Sequence, residues 1–84
     1  MSKVYVVISD SIIQWHESHG LHGVFADENL AKSTAISAIT SIARRNYHNI
    51  TEQDICDHCD LEYSYHSNNI AIYVSCIEEE VRYV

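Results

Sequence analysis

The chain has 84 residues, 46 % of them hydrophobic and 20 % charged, with a formal net charge of −7. That size allows one domain with a modest core, 1–84, and the ordinary apolar and charged fractions exclude intrinsic disorder and fibrous repeats. No apolar run approaches the roughly 20 residues that cross a bilayer, and Met1-Ser2-Lys3-Val4-Tyr5 lacks the features of a secretory signal, so the expectation is a complete, soluble, cytoplasmic protein.

Lys3 to Ser9 is dense in β-branched and aromatic residues and apolar on both parities, which predicts a central strand. Residues 10–20 are polar and end in Gly20, and they read as a long hairpin loop. Leu21 to Ala26 is a second short strand, with Leu21, Gly23 and Phe25 on one side and His22, Val24 and Ala26 on the other. Asp27 is an N-cap for a helix from Glu28 to about Asn46, with Glu28 in the first turn and Arg44 and Arg45 in the last. Leu30, Ala31, Thr34, Ala35, Ala38, Ile39, Ile42 and Ala43 form its buried stripe, and the alanines allow close approach to a sheet.

Thr51 and Asp54 have the spacing of a capping box, which predicts a short second helix over Glu52 to Cys59. Leu61 to His66 alternates as a half-buried strand, and Ser67-Asn68-Asn69 is turn chemistry. Ile70 to Ile77 is a further apolar strand, extended through a bulge by Glu78 to Val84. The order β-β-α-α-β-β predicts a two-layer α+β domain: a four-stranded, mainly antiparallel sheet with helices on one face. Its expected core is Val4, Val6, Phe25, Leu30, Ala35, Ile39, Ile42, Ile72 and Val74. The other face of such a sheet is partly bare, which predicts a two-fold homodimer.

Lys3-Val4-Tyr5-Val6-Val7, Gly23-Val24-Phe25-Ala26-Asp27, the following Ala31 and the acidic Ile77-Glu78-Glu79-Glu80-Val81 together resemble a family of small phage and bacterial proteins of unknown function. The resemblance covers the first third of the chain and this tail, and its motifs are structural. It implies a phage accessory gene, a class that includes inhibitors of host defence such as anti-CRISPR proteins. No functional residue carries over from it.

Cys56-Asp57-His58-Cys59 is the half-site of a zinc ligand set, with Cys76 and with His16, His19 and His22 as distant candidates for its completion. Zinc needs a second close pair of ligands, so core thiols beside solvent-facing histidines are the weightier reading of Cys56 and Cys59. A redox role for the same pair is disfavoured by its place late in the expected helix, amid Asp54, Asp57 and Asp60. An odd cysteine count argues against a disulfide scaffold. No nucleophile elbow, glycine-rich phosphate loop or H-E-x-x-H motif is present, so the chain reads as a non-enzyme.

Charge carries the functional reading. Residues 1–45 are neutral in sum, whereas residues 46–84 set eight carboxylates against Arg82 alone. Direct nucleic-acid binding is disfavoured, because Arg44-Arg45 is only a pair. The expected partner is a host protein with a basic surface, in the reading of a phage-encoded inhibitor of a nucleic-acid-handling defence component. Glu52, Asp54, Asp57, Asp60 and Glu62 form the expected acidic face, Glu78, Glu79 and Glu80 a second patch, and Tyr63 and Tyr65 the expected anchors. The alternative is a small zinc-stabilised module using Cys56, Cys59 and His58.

Overall fold

A computed structural model describes residues 2–59 and 61–81, with Ser2 described by its backbone alone. Strands β1 (Ser2–Ile13) and β2 (His16–Phe25) are followed by helix α1 (Glu28–Arg45) and a single 3-10 turn (Glu52–Asp54). Strands β3 (Cys56–Asp57), β4 (Glu62–Ser67) and β5 (Ile70–Val81) complete the chain. The sheet order is β2-β1-β5-β4-β3, and every neighbouring pair is antiparallel. The described residues therefore form five strands and one α-helix, which corrects the expected four strands and two helices.

Two local causes account for the difference. The Asp54 carboxylate does accept the Thr51 N–H at 2.8 Å, but the turn it opens ends at once. Ile55 is extended and packs on the core, and Cys56 pairs with Ser64 of β4. A segment this short, with no apolar stripe to bury, gains more from sheet pairing than from a second helical turn. The polar stretch 10–20 is likewise no loop. Its backbone pairs in register from Asp10↔His19 to Ile13↔His16, leaving only Gln14 and Trp15 to turn the chain.

β1 and β5 pair at every position from Ser2↔Val81 to Ile13↔Ile70, so β5 runs without the expected bulge. The part of that extension in residues 82–84 lies outside the described residues. A bulge does occur elsewhere, between Val7 and Ile8 in the β1–β2 ladder, where His22 is the extra residue. Gly23 beside it has φ +147°, and a Cβ there would lie 2.7 Å from the Phe25 ring, so the bulge needs glycine.

Asp27 Oδ1 accepts the Asn29 N–H at 2.8 Å and caps α1 as expected. Ala31, Ala35, Ala38, Ile39, Ile42 and Ala43 are buried against Val7, Ile70, Ile72, Val74 and Cys76. The alanines bring helix and sheet close enough for Cys76 Sγ to reach the Ala31 carbonyl at 3.5 Å. Eighteen helical residues span roughly 27 Å, whereas the twelve-residue strands span roughly 40 Å, so one helix cannot cover the sheet.

The expected core is right in Ala35, Ile39, Ile42, Ile72 and Val74, all buried. Leu30 is half exposed, and Phe25 is only partly buried against the core. Val4 and Val6 point away from α1. The strand presents Tyr5, Val7, Ser9, Ser11 and Ile13 to the helix and leaves Val4, Val6, Ile8 and Ile12 on the open face. Its more apolar side is the uncovered one.

Candidate functional site

The open face of the sheet is built from alternate residues of β2, β1, β5 and β4. Val6 is opposite Val24 on one side and Ile77 on the other, giving an apolar row across three strands. The next row places Leu21, Ile8, Ser75 and Glu62 side by side. Leu21 is 67 % exposed and Val24 57 % exposed. The bulge makes this possible: strict alternation would have turned Leu21 under the helix, whereas the extra residue puts Leu21 and Val24 on one face and sends His22 to the other.

Acidic residues border the patch. Glu17, Asp10, Glu62 and Glu79 all sit at open-face register positions, opposite Ile12, His19, Ser75 and Val4. Among the described residues, no Lys or Arg shares this face. Lys3 is turned to the helix side, 3.3 Å from Glu78, and Lys32, Arg44 and Arg45 are on α1. Asp10 and His19 make a close pair within the face, and His66 Nε2 meets the Tyr73 hydroxyl at 2.6 Å.

At one end of the face Trp15 is 95 % exposed. It stands beside a hollow of about 250 Å³ lined by Ile12, His66, Asn69, Ile70 and Ala71. Gln14 and Trp15 have φ of 48° and 72°, so this turn forces two non-glycine residues into the left-handed region. Bulky residues rarely adopt it, and such strain concentrates at functional positions.

The expected acidic face is dispersed. Glu52 and Asp54 are exposed on the 3-10 turn, and Asp57 accepts the Cys59 N–H at 2.9 Å in the β3–β4 connection. Among the described members of this group only Glu62 reaches the open face; Asp60 lies outside the described residues. Glu78, Glu79 and Glu80 alternate sides, so Glu79 joins the open face while Glu78 and Glu80 face the helix side. Glu78 also receives the Tyr5 hydroxyl at 3.4 Å; desolvation, Glu28 and Glu78 together hold that phenol above its ordinary range.

The expected anchors sit away from the open face. Tyr63 is buried, and burial, with Asp57 adding to it, pushes its phenol up. Tyr65 is half-buried on the helix side, its hydroxyl 3.3 Å from His48 Nδ1. Both therefore lie on the helix side rather than on the open face. Trp15, Leu21, Val24 and Ile77 are the residues that sequence reasoning missed as site candidates. One signal was available: Val4, Val6, Ile8 and Ile12 form the more apolar parity of β1.

Cys56 and Cys59 are exposed, which corrects the core-thiol reading; Cys76 is the buried thiol. They do not share a helix face, since Cys56 is in β3 and Cys59 follows it at φ 72°. His58 Nε2 is 2.7 Å from Ser64 Oγ. Among the described residues, no three His, Cys, Asp or Glu side chains converge as a metal site. His19 is on the open face, whereas His16 and His22 are at helix-side positions, so the three histidines of β2 do not share one face. No described helix is long and apolar enough to cross a membrane.

No family model, curated protein or solved structure matches the chain.

Proposed function

We propose that this chain is a non-enzymatic binding protein whose open sheet face docks on a partner protein bearing an apolar patch bordered by Lys and Arg. One observation carries the reading: the row Val24–Val6–Ile77, with Leu21 and Ile8 beside it, lies uncovered inside a rim of carboxylates. Exposed apolar patches rimmed by polar residues mark interaction surfaces. The rim supplies steering and orientation, and the apolar rows supply the buried centre. Trp15 extends the surface at one end as an aromatic anchor, the residue type most enriched among energetic hot spots.

Charge selects the occupant. Two copies meeting through this face would bring Glu17, Glu62 and Glu79 against one another with no described basic residue to neutralise them. A basic partner meets no such penalty. The −7 net charge supports a target that handles nucleic acid, because the surface that holds phosphates is also complementary to carboxylates. The resemblance of the opening strands and acidic tail to small phage proteins supports the finer reading, an inhibitor of a host defence component.

The test is affinity capture from a bacterial host lysate with three baits: the native chain, Leu21→Ser/Val24→Ser, and Glu17→Gln/Glu62→Gln/Glu79→Gln. All substituted side chains are exposed, so the fold is retained. The expected result is a basic partner lost by the first variant and bound more slowly, with weaker salt dependence, by the second. Equal capture by all three baits overturns the reading. Light scattering that gives a stable dimer abolished by Leu21→Ser/Val24→Ser would assign the face to a second copy instead.

A further inference from the structure

The helix side of the sheet carries a second feature, independent of the open face. Beneath the last turns of α1, β1 presents Ser9 and Ser11 where its alternation places Val7 and Ile13 on either side. Both serines are 5 % exposed. They line a cleft of about 460 Å³ together with Ser18, His22, Arg45 and Asn46. That volume falls in the range of small-molecule sites, roughly 300–1,000 Å³.

The chemistry of the walls is one-sided. In a chain of net charge −7, no Asp or Glu of the described residues lines this cleft. Asp10, between the two serines in sequence, is turned to the open face, where it pairs with His19. Arg45, exposed at the rim of the cleft, makes no ion pair among the described residues, so its guanidinium is free to reach an anion there. The negative end of the helix is occupied as well. Asn46 Nδ2 donates to the Ile42 carbonyl at 2.8 Å, and the Ala43 and Arg44 carbonyls accept backbone N–H groups of residues 46–48.

The bulge in β2 completes the arrangement. It turns His22 under the helix, with Nε2 at 2.7 Å from Ser9 Oγ. Gly20, opposite Ser9, keeps the wall open, since a Cβ there would lie 3.1 Å from the Ser9 hydroxyl and 3.3 Å from His22 Nε2. His22 Nε2 and Ser9 Oγ thus sit together as paired polar groups on the cleft wall.

We propose that this cleft binds a small molecule bearing a tetrahedral oxyanion, a phosphate or phosphate monoester, held by the Arg45 guanidinium and the hydroxyls of Ser9, Ser11 and Ser18. A guanidinium fork with three hydroxyl donors matches the several oxygens of a phosphate better than the two of a carboxylate. The volume left beyond the phosphate accommodates an organic substituent.

The experiment is a titration of the 15N-labelled protein followed by amide NMR shifts, at ionic strength held constant with sodium chloride. The probes are inorganic phosphate, glycerol 3-phosphate and acetate. Saturable shifts centred on residues 9, 11, 18, 22 and 45 are expected for both phosphates, with acetate weaker. Tighter glycerol 3-phosphate identifies a monoester ligand, and tighter phosphate identifies the free anion. Arg45→Gln, at an exposed position, should weaken binding about tenfold or more while leaving the amide spectrum folded. Ser11→Ala, which removes the hydroxyl without adding bulk at this buried position, should weaken it as well. Absence of saturation up to tens of millimolar phosphate, acetate binding as tightly as phosphate, or unchanged affinity in Arg45→Gln overturns the proposal.

Discussion

The Gln14 N–H donates to the Asn69 carbonyl at 3.0 Å, tying the β1–β2 turn to the β4–β5 turn at one end of the sheet. Between them they present Trp15, whose side chain is exposed and whose backbone has φ 72°. A left-handed conformation costs an L-residue about 1–2 kcal/mol, and this indole buries too little to offset it. Trp15→Gly is therefore expected to stabilise the chain by about 1 kcal/mol, raising Tm by roughly 4–8 °C, while reducing capture of the basic partner. Thermal melts and the lysate capture read the two effects separately. An unchanged or lowered Tm would show that the turn is not strained.

Ile39 is fully buried between α1 and the sheet, in contact with a core that includes Ile72 and Val74. A carboxylate there has no described cation beside it, and an uncompensated buried charge costs several kcal/mol in a domain whose whole stability is of the order of 5–15 kcal/mol. Ile39→Asp is expected to abolish cooperative unfolding in circular dichroism. A soluble variant with a sharp melt would contradict the packing described.

The three thiols should separate by reactivity. Cys56 and Cys59 are exposed, whereas Cys76 is buried beneath α1, and burial pushes its thiol up. Ellman's reagent on the native protein is expected to titrate two thiols quickly and the third only on unfolding. Prior treatment with a chelator should leave those rates unchanged. A chelator-dependent increase would instead favour the zinc-stabilised alternative at Cys56 and Cys59.

Alkaline pH should destabilise the fold. Burial raises Tyr63 and Cys76 above their ordinary values, so the unfolded chain loses these protons first as pH rises. The stability is fully present below the unfolded thiol and phenol values, about 8.5 and 10, and is lost as pH climbs through the higher folded ones. Urea midpoints measured from neutral pH upward should begin to fall near pH 9, and Tyr63→Phe should flatten the fall above pH 10. A midpoint that stays level to pH 11 would contradict the burial of both groups.

The helix α1 was legible in the sequence almost to the residue, because an N-cap, a first-turn acid, last-turn arginines and an alanine-rich stripe all act within one element. The strands over Leu61 to His66 and Ile70 to Ile77 and the Asn68-Asn69 turn were legible for the same reason. Residues 10–20 were not, because backbone pairing carries no side-chain signature when the partners are Ser, Asp, His and Glu. Residues 52–59 misled because a true capping box fixes only where a turn begins; whether it continues depends on Ile55 and Cys56 finding the core and β4. The candidate site was hidden more deeply. Local chemistry determined that β1 is a strand with two apolar parities, but which parity lies under α1 is settled only by packing. The bulge at His22, invisible to periodicity, then sorted Leu21 onto the open face and His22 beneath the helix. Sequence alone determined the elements that satisfy their own hydrogen bonds and stripes. The tertiary structure decided which face stays uncovered, because a one-residue shift in a ladder reverses every side chain beyond it.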